Sequence, residues 1–368
     1  MLNAQNDEEK NWSIQGYTKS LQSLFKITVP GLGNQTLSDN FLHHRLNFTW
    51  FPSDHWTFKA GLRTRYFFGE FSRVQPNFKE DLSAVGEDFI DLTLLNWGDK
   101  TILHSYFDRA YFQYNKDNIE VRLGRQRINW GINTLWNPND LFNAFAFTDF
   151  DYEERPGTDA LRIQYYTGYA GSIELAVKAF RNSDEIIAAA LYKFNKWNYD
   201  FQLLFGWSEQ DIVVGGGWAG SIKDIGFKGE FSWFNSTETT IENTFVATLS
   251  LDYSFSNGLF LTTGFLYNQA NNDTANIFDF ELSARNLYPY EWSVFFSSGF
   301  AITSLLNTNV ALIYSPVNGQ PFFINPSFTY SLAQNIDLNL VGQIVFQHTG
   351  NGYRSDIQAF FLRVKWSY

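Results

Sequence analysis

WTFKAGLRTRYFF, residues 56–68, alternates between two kinds of side chain along its whole length. One set, from Trp56 to Phe68 at every second position, is mainly apolar and aromatic, whereas the other is mostly polar and basic. Successive side chains of a strand point to opposite faces, so this stretch predicts a β-strand with one apolar and one polar face. It is long enough to cross a bilayer at the usual barrel tilt, which takes about 9–11 residues.

The same alternation recurs along the chain, at 42–50, 199–207, 244–255 and 336–346. Short connections carry the Gly, Pro, Asn and Asp that tight hairpins require. They lie at 52–55, 115–118, 167–171, 195–198, 256–258 and 333–335. Longer connections lie near 26–40, 69–100, 128–158, 235–242 and 270–290. One rim of short turns (the turn rim) and one rim of long loops (the loop rim) is the arrangement of an outer-membrane barrel.

We therefore predict an all-β fold, a transmembrane antiparallel up-and-down β-barrel of about 18 strands, with about 16 as the alternative. Residues 12–368 are expected to form this single barrel, with 128–158 as the candidate constriction loop. Residues 1–11 form an N-terminal tail, for which the remnant of a signal peptide is one interpretation. Closure of the sheet leaves no strand edge exposed to lipid.

The composition excludes several other classes of protein. The 368 residues include no cysteine, which rules out a disulfide scaffold and thiolate chemistry. The net charge of −11 argues against nucleic acid as a partner, because nucleic-acid binding requires a basic surface. No apolar run reaches the roughly 18 residues that a membrane-spanning helix needs. The mean hydropathy of −0.26 suits alternating strands, in which the two faces average out.

The chain ends in another alternating stretch, FFLRVKWSY (360–368), whose last residue is aromatic. Phe360, Leu362, Val364, Trp366 and Tyr368 share one face of this stretch. It resembles the C-terminal strand by which outer-membrane proteins are recognised for insertion, so the barrel-insertion machinery is an expected partner. Tryptophan and tyrosine also cluster next to both predicted rims, as is typical of membrane interfaces.

Barrels of about 16–18 strands enclose an aqueous channel. In the early strands the polar face is basic, and we predict that these cations form one wall of the channel, which we call the basic wall: Arg45, Lys59, Arg63, Arg65, Arg109, Arg122 and Arg162. The later strands place mostly neutral or acidic residues on the same face. The two longest connections, 69–100 and 128–158, are the candidates for narrowing the channel.

The stretch GRQRINWGINTLWNPND (124–140) interrupts the alternation, and an acidic segment, TDFDYEERPGTD (148–159), follows it. We expect the chain to turn into the channel here and to bring charges opposite the basic wall. The candidate constriction residues are Arg125, Arg127, Trp130, Trp136, Asp149, Asp151, Glu153 and Glu154. Facing charges of opposite sign select ions and orient polar solutes. Direct ion pairing that only anchors the loop is the alternative, and the two arrangements are compatible.

VRLGRQRINWG (121–131) resembles the third-loop region of large bacterial porins, namely the substrate-specific, alginate-export-like and phosphate-selective families. The resemblance rests on Gly124, Arg125, Gln126 and Gly131, together with the meander and the C-terminal strand, whereas the corner at 136–140 departs from the porin patterns. It implies an outer-membrane porin for passive diffusion of small polar or anionic solutes. Outer-membrane lipid and lipopolysaccharide would surround it, with other outer-membrane proteins or a homotrimer as further partners.

The alternative function is a non-conducting barrel that serves as a subunit of an assembly, secretion or nutrient-uptake complex. Bulky residues on the inward face, such as Phe67 and Tyr111, favour this alternative because they would obstruct the channel. An enzyme is not expected, and neither is a metal or another cofactor. His43 and His44 are adjacent on a strand and face opposite ways, so they cannot bind one metal together.

Overall fold

The computed structural model of the protein describes residues 10–29, 33–86, 88–144, 155, 157–178, 181–182, 186–269 and 282–368. The strands are β1 (Trp12–Val29), β2 (Gly33–Ser53), β3 (Trp56–Gly69), β4 (Thr93–Trp97), β5 (Thr101–Lys116), β6 (Ile119–Gln126), β7 (Thr158–Tyr166), β8 (Ser172–Lys178), β9 (Ile187–Lys196), β10 (Tyr199–Ser208), β11 (Asp211–Ile222), β12 (Ile225–Ser236), β13 (Thr244–Ser254), β14 (Phe260–Asn268), β15 (Trp292–Ala301), β16 (Leu306–Tyr314), β17 (Phe322–Ala333), β18 (Ile336–Thr349) and β19 (Gly352–Ser367). Two helices, α1 (Phe71–Val74) and α2 (Phe78–Gly86), lie between β3 and β4. No helix among these residues is long and apolar enough to cross a membrane.

The sheet closes on itself because the first strand pairs with the last. β1 is antiparallel to β2 on one side and to β19 on the other, with Tyr17 opposite Ser367. All other strands except β4 pair in sequence order, and β3 pairs directly with β5. The wall is therefore a closed antiparallel barrel of 18 strands with β4 as an extra strand, which confirms the predicted fold and strand number.

β4 occupies the place that a longer β6 would otherwise fill. β6 ends at Gln126, opposite Thr158 of β7, and leaves the upper half of β5 without that neighbour. β4 pairs with this part of β5, from Thr93 opposite Tyr106 onward. The peptide groups of β5 need partners within a bilayer, and β4 supplies them. The connection at 69–100, predicted only as a long loop, thus contains two helices and a strand.

The two faces of the wall differ as the alternation predicts. Along β10, Leu203 and Phe205 are exposed on the outer face, whereas Gln202 and Leu204 are buried on the inner face. Aromatic rings pair on the outer face near both rims, with Trp56 against Tyr114 and Tyr267 against Trp292 as examples. The five residues of the C-terminal face are all exposed on the outside: Phe360, Leu362, Val364, Trp366 and Tyr368. The outer surface is therefore an apolar belt suited to lipid contact.

The helical segment enters the lumen at the loop rim. Leu82 of α2 is buried in a cluster with Phe67 and Ile102, both of which face inward from the wall. Phe71 of α1 stacks on Phe25 of β1, with 5.1 Å between the ring centroids. The apolar residues on the upper inner face of β1 to β5 are thus covered by this segment, which narrows the lumen on that side.

Candidate functional site

The chain leaves the wall at the end of β6 and enters the lumen as residues 127–144, which we call the inward segment. Gly124 has a φ of +118°, and a Cβ added there would lie 2.3 Å from the carbonyl oxygen of Ala110. Only glycine adopts this conformation so close to β5 without a clash. This glycine lies two residues before the end of β6, where the sequence predicts that the chain leaves the wall.

Arg125 fixes the chain at the end of β6, just before the inward segment. Its guanidinium donates to both carboxylate oxygens of Asp159, over 3.0 and 2.8 Å, and the two residues are directly opposite on β6 and β7. Both side chains are buried, and the bidentate geometry makes this a strong pair. Arg125 lies on the opposite face from Arg122 and Gly124. Its charge is therefore used to anchor the segment at the wall.

The inward segment is held on the far side of the lumen by Glu230 of β12. The Glu230 carboxylate accepts hydrogen bonds from the backbone N–H groups of Ile132, Asn133 and Asn139, the last two over 2.5 and 3.4 Å. The Asn133 side chain also donates to the Thr248 hydroxyl over 2.5 Å. One buried carboxylate thus fixes three peptide groups of the segment.

The inner face of β11 is indented to receive the segment. A Cβ on Gly215 would lie 2.6 Å from the side-chain oxygen of Asn139, and one on Gly217 would lie 2.9 Å from Ile132. Asn139 also donates to the carbonyl oxygen of Gly216 over 2.9 Å. Gly215 and Gly217 therefore leave this part of β11 without inward side chains, and the segment packs against it.

Trp130 and Trp136 attach the segment through apolar contacts. Trp130 is 1% exposed, packs edge-to-face on Phe142 at 5.0 Å between centroids, and donates its indole N–H to the Glu174 carboxylate. Trp136 contacts Tyr288 at 5.7 Å between centroids. Both tryptophans belong to a buried cluster that lines the later strands. Large aromatic surfaces removed from water stabilise such packing strongly.

Across the lumen, Arg45, Arg63 and Arg65 lie together on the inner face of β2 and β3, and we call these three residues the cationic cluster. Arg45 is buried in an ion pair with Asp108 of β5. Arg63 donates to the His43 imidazole over 3.2 Å and to the Tyr106 hydroxyl over 3.3 Å. Arg65 donates to the imidazole of His104 over 3.3 Å. Only Arg45 has its charge matched by a carboxylate among these contacts.

The other four members of the predicted basic wall have different surroundings. Arg122 pairs with Glu120 at 3.0 Å, and Arg162 pairs with Glu174 at 2.7 Å. Arg109 donates to the carbonyl oxygen of Asp108 over 2.7 Å and to that of Arg155. Lys59 is exposed on the inner face of β3 near the turn rim.

Several charged residues of the lumen were not among the sequence candidates. Lys19 of β1 and Lys365 of β19 are opposite each other, and their amino groups lie 5.6 and 4.6 Å from the ring of Tyr17. The alternation of β1 is obscured by polar residues on its outer face, so its inward Lys19 was missed. Glu174 and Glu230 could have been found, because each occupies an inward position of an alternating strand.

The acidic part of the candidate constriction, Asp149, Asp151, Glu153 and Glu154, lies outside the described residues, as do residues 1–9 of the predicted tail. Arg127 of the candidate set is described and donates to the side-chain oxygen of Asn129 over 3.1 Å. Among the described residues, no group of His, Asp and Glu is placed to hold a metal ion.

Asp140 gives the inward segment a titratable contact. One carboxylate oxygen accepts the N–H of Trp130 over 3.3 Å, and the other pairs with Arg155 at 3.2 Å. Burial raises the pKa of Asp140 from 3.8 to about 7, although Arg155 opposes this effect. The folded state therefore holds a proton that the unfolded chain releases between these pKa values, so stability falls as pH rises through that window.

We accordingly expect the free energy of unfolding of the wild-type barrel to fall between pH 4 and pH 7, by no more than about 1.4 kcal/mol per pH unit, and its unfolding temperature to fall with it. Asp140→Asn should flatten this dependence, as measured by heating before SDS gel electrophoresis at each pH. Asp337→Asn, an inward carboxylate away from the segment, should keep the wild-type slope. Equal slopes in wild type and Asp140→Asn would contradict the assignment.

No protein-family model matches the chain. No curated protein matches it either. Solved structures do match over nearly the whole length. OccK5 (OpdH) of Pseudomonas aeruginosa is 9% identical, with 97% of this chain and 98% of that chain covered and a TM-score of 0.65.

Two further structures show the same fold. The outer membrane protein OpdK of Pseudomonas aeruginosa is 8% identical, with 97% and 98% of the two chains covered and a TM-score of 0.57. The outer membrane channel DcaP of Acinetobacter baumannii is 10% identical, with 97% of each chain covered and a TM-score of 0.51. At these identities the similarity establishes the fold. The chain is a porin-like β-barrel, with the fold of bacterial outer-membrane channels.

Proposed function

We propose that this protein is an outer-membrane porin that allows passive diffusion of small polar or anionic solutes through a charged constriction. The observation that supports this function is the position of the inward segment relative to the cationic cluster. The Glu230 anchor lies on β12, which is diametrically opposite β2 in the strand order of the barrel. The described segment is thus fixed against the later strands, on the side away from the cations.

The cationic cluster gives this passage its selectivity. Arg63 donates to an imidazole and a phenol, neither of which carries a negative charge. Its field in the lumen is therefore not cancelled by those two hydrogen bonds. Low-dielectric walls focus such a field, so anions are concentrated and cations are depleted near the cluster. The expected outcome is a weak preference for anions.

Planar-bilayer recordings with the double variant Arg63→Ala plus Arg65→Ala test this proposal. In a salt gradient, we expect the anion-to-cation permeability ratio of the variant to fall by about twofold or more, because two positive charges leave the passage. Lys196→Ala is the matched control, since Lys196 lies at the turn rim beside Trp197 and outside the cluster. A reversal potential that does not change in the double variant would remove the selectivity claim.

A non-conducting subunit of an outer-membrane assembly, secretion or nutrient-uptake complex is the second candidate function. The packing of Leu82 against Phe67 and Ile102 favours it, since the helical segment obstructs the lumen on the side of the cationic cluster. The same recordings separate the two functions. Purified wild-type barrel that produces no conductance steps supports the subunit role, whereas regular steps support the porin.

A further inference from the structure

A second feature of the lumen lies between the inward segment and the turn rim, where a half-open cavity of about 400 Å³ is present. Gly131 and Ile132 border it on the side of the inward segment. Lys193 of β9, Asp200 of β10 and Ala219 of β11 border it on the side of the wall. Its volume is at the lower end of the range for pockets that bind small molecules.

Two opposite charges share this cavity without contacting each other. Lys193 is directly opposite Gln202 on the neighbouring strand, and Asp200 lies two residues from Gln202 on the same face. The backbone positions of such diagonal neighbours are about 7–8 Å apart. No ion pair of 4.0 Å or less joins Lys193 or Asp200 to a described residue. Asp200 accepts a hydrogen bond from the Asn195 amide over 2.8 Å.

Neighbouring charges of the lumen are matched, in contrast to this pair. Lys228 of β12 and Asp252 of β13 form an ion pair at 3.1 Å. Glu174, on the other side, is used by Arg162 and by the indole of Trp130. These carboxylates are therefore already occupied, whereas Lys193 keeps its ammonium hydrogens for another acceptor.

The cavity leaves open space between the two charges. Ala219 is directly opposite Asp200 on β11, where its methyl group leaves space that a longer side chain would fill. On the other side, Gln202 is turned toward the inward segment and donates to the carbonyl oxygen of Trp130 over 2.9 Å. The space between Lys193 and Asp200 is thus free of side chains that could bridge them.

We propose that this cavity binds small zwitterions, of which free amino acids are the simplest class; the proposal rests on the porin function proposed above. The solute carboxylate accepts from the Lys193 ammonium, and the solute ammonium donates to the Asp200 carboxylate. Charge-assisted hydrogen bonds of this kind are about twice as strong as neutral ones. A solute with one charge satisfies only one of the two residues and binds less well.

Swelling of proteoliposomes tests the proposal with L-serine as the zwitterion and ribose as the neutral reference. We expect Lys193→Gln and Asp200→Asn each to lower the ratio of the L-serine rate to the ribose rate by about threefold or more, at low millimolar L-serine. Ala219→Leu keeps both charges but fills the cavity, so it should lower the ratio as well. Lys196→Gln, at the turn rim, should leave the ratio unchanged.

The possible outcomes separate the porin function from the zwitterion site. Wild-type proteoliposomes that admit neither ribose nor L-serine overturn the porin function itself. If ribose enters normally and the ratio is unchanged in all three cavity variants, the zwitterion site is overturned while the porin function stands. N-acetyl-L-serine, which is only an anion, provides the last comparison. An effect of Lys193→Gln on both solutes, with none of Asp200→Asn, would indicate a simple anion site and overturn the zwitterion proposal.

Discussion

Glu230→Ala should raise the single-channel conductance of the barrel by about twofold or more, because it releases the inward segment from the far wall. The carboxylate accepts three backbone N–H groups of the segment, from Ile132, Asn133 and Asn139. Without it, these donors are buried and unsatisfied, at a cost of about 1–3 kcal/mol each. The segment then moves away from β12, and the current becomes larger and noisier in planar-bilayer recordings.

Two variants control for this effect. Glu230→Gln keeps an oxygen acceptor of the same size, so its conductance should lie between those of wild type and Glu230→Ala. Asp252→Ala removes another inward carboxylate on the next strand, which forms an ion pair with Lys228 on the wall. Its conductance should remain close to that of wild type. Equal conductance in Glu230→Ala and wild type would show that the other contacts of the segment hold it in place without Glu230.

Asp108→Ala should lower the stability of the folded barrel by about 3–5 kcal/mol, which is the usual cost of breaking a buried ion pair on one side. Arg45 and Asp108 are each 1% exposed, so the guanidinium that remains has no access to bulk water. Arg63 lies beside it on the next strand, directly opposite Arg45. The added repulsion between these two cations increases the effect, since like charges directly opposite are destabilising.

The temperature at which the folded form disappears from SDS gels measures this loss. Asp252→Ala is again the matched control, because it breaks the pair with Lys228, in which the two side chains are 22% and 30% exposed. Surface-like pairs contribute about 0–1 kcal/mol, so this variant should unfold close to the wild-type temperature. Arg45→Met combined with Asp108→Leu removes both charges and should recover most of the loss. Failure to recover would mean that Arg45 has a further essential contact.

Most strands were predictable because each of them carries a complete local signal. From Trp56 to Phe68 the outer positions are apolar and the inner positions are polar, so the face and the length of β3 follow from the sequence alone. The interior was harder to predict. Leu82 and Phe67 contact each other only because the chain folds back over the loop rim, and no spacing in the sequence records that contact. β4 could not be predicted for the same reason, because its pairing with β5 depends on where β6 ends.

The candidate site, too, was predictable only in part. Trp130 and Trp136 stood out as bulky residues in an irregular stretch, and both are packing anchors in the structure. The wall that they pack against could not be read from the sequence, since it depends on which way the chain turns after Gly124. Arg125 and Arg162 illustrate the other difficulty. Their positive charges were evident, but their partners, Asp159 and Glu174, arise from the pairing of strands.

The inward segment also has a mechanical role. It connects β6 to β12, which lie six strands apart in the wall of 18 strands. The chain is bonded beside β6 by Arg125 to Asp159 and beside β12 by Glu230 to three peptide groups. A closed sheet keeps its circumference through strand pairing, but pairing alone does little to stop a circular cross-section from flattening into an ellipse. A bonded chain along this chord of the cross-section resists that flattening between the two strands that it joins. The segment therefore sets the roundness of the barrel as well as the width of its passage.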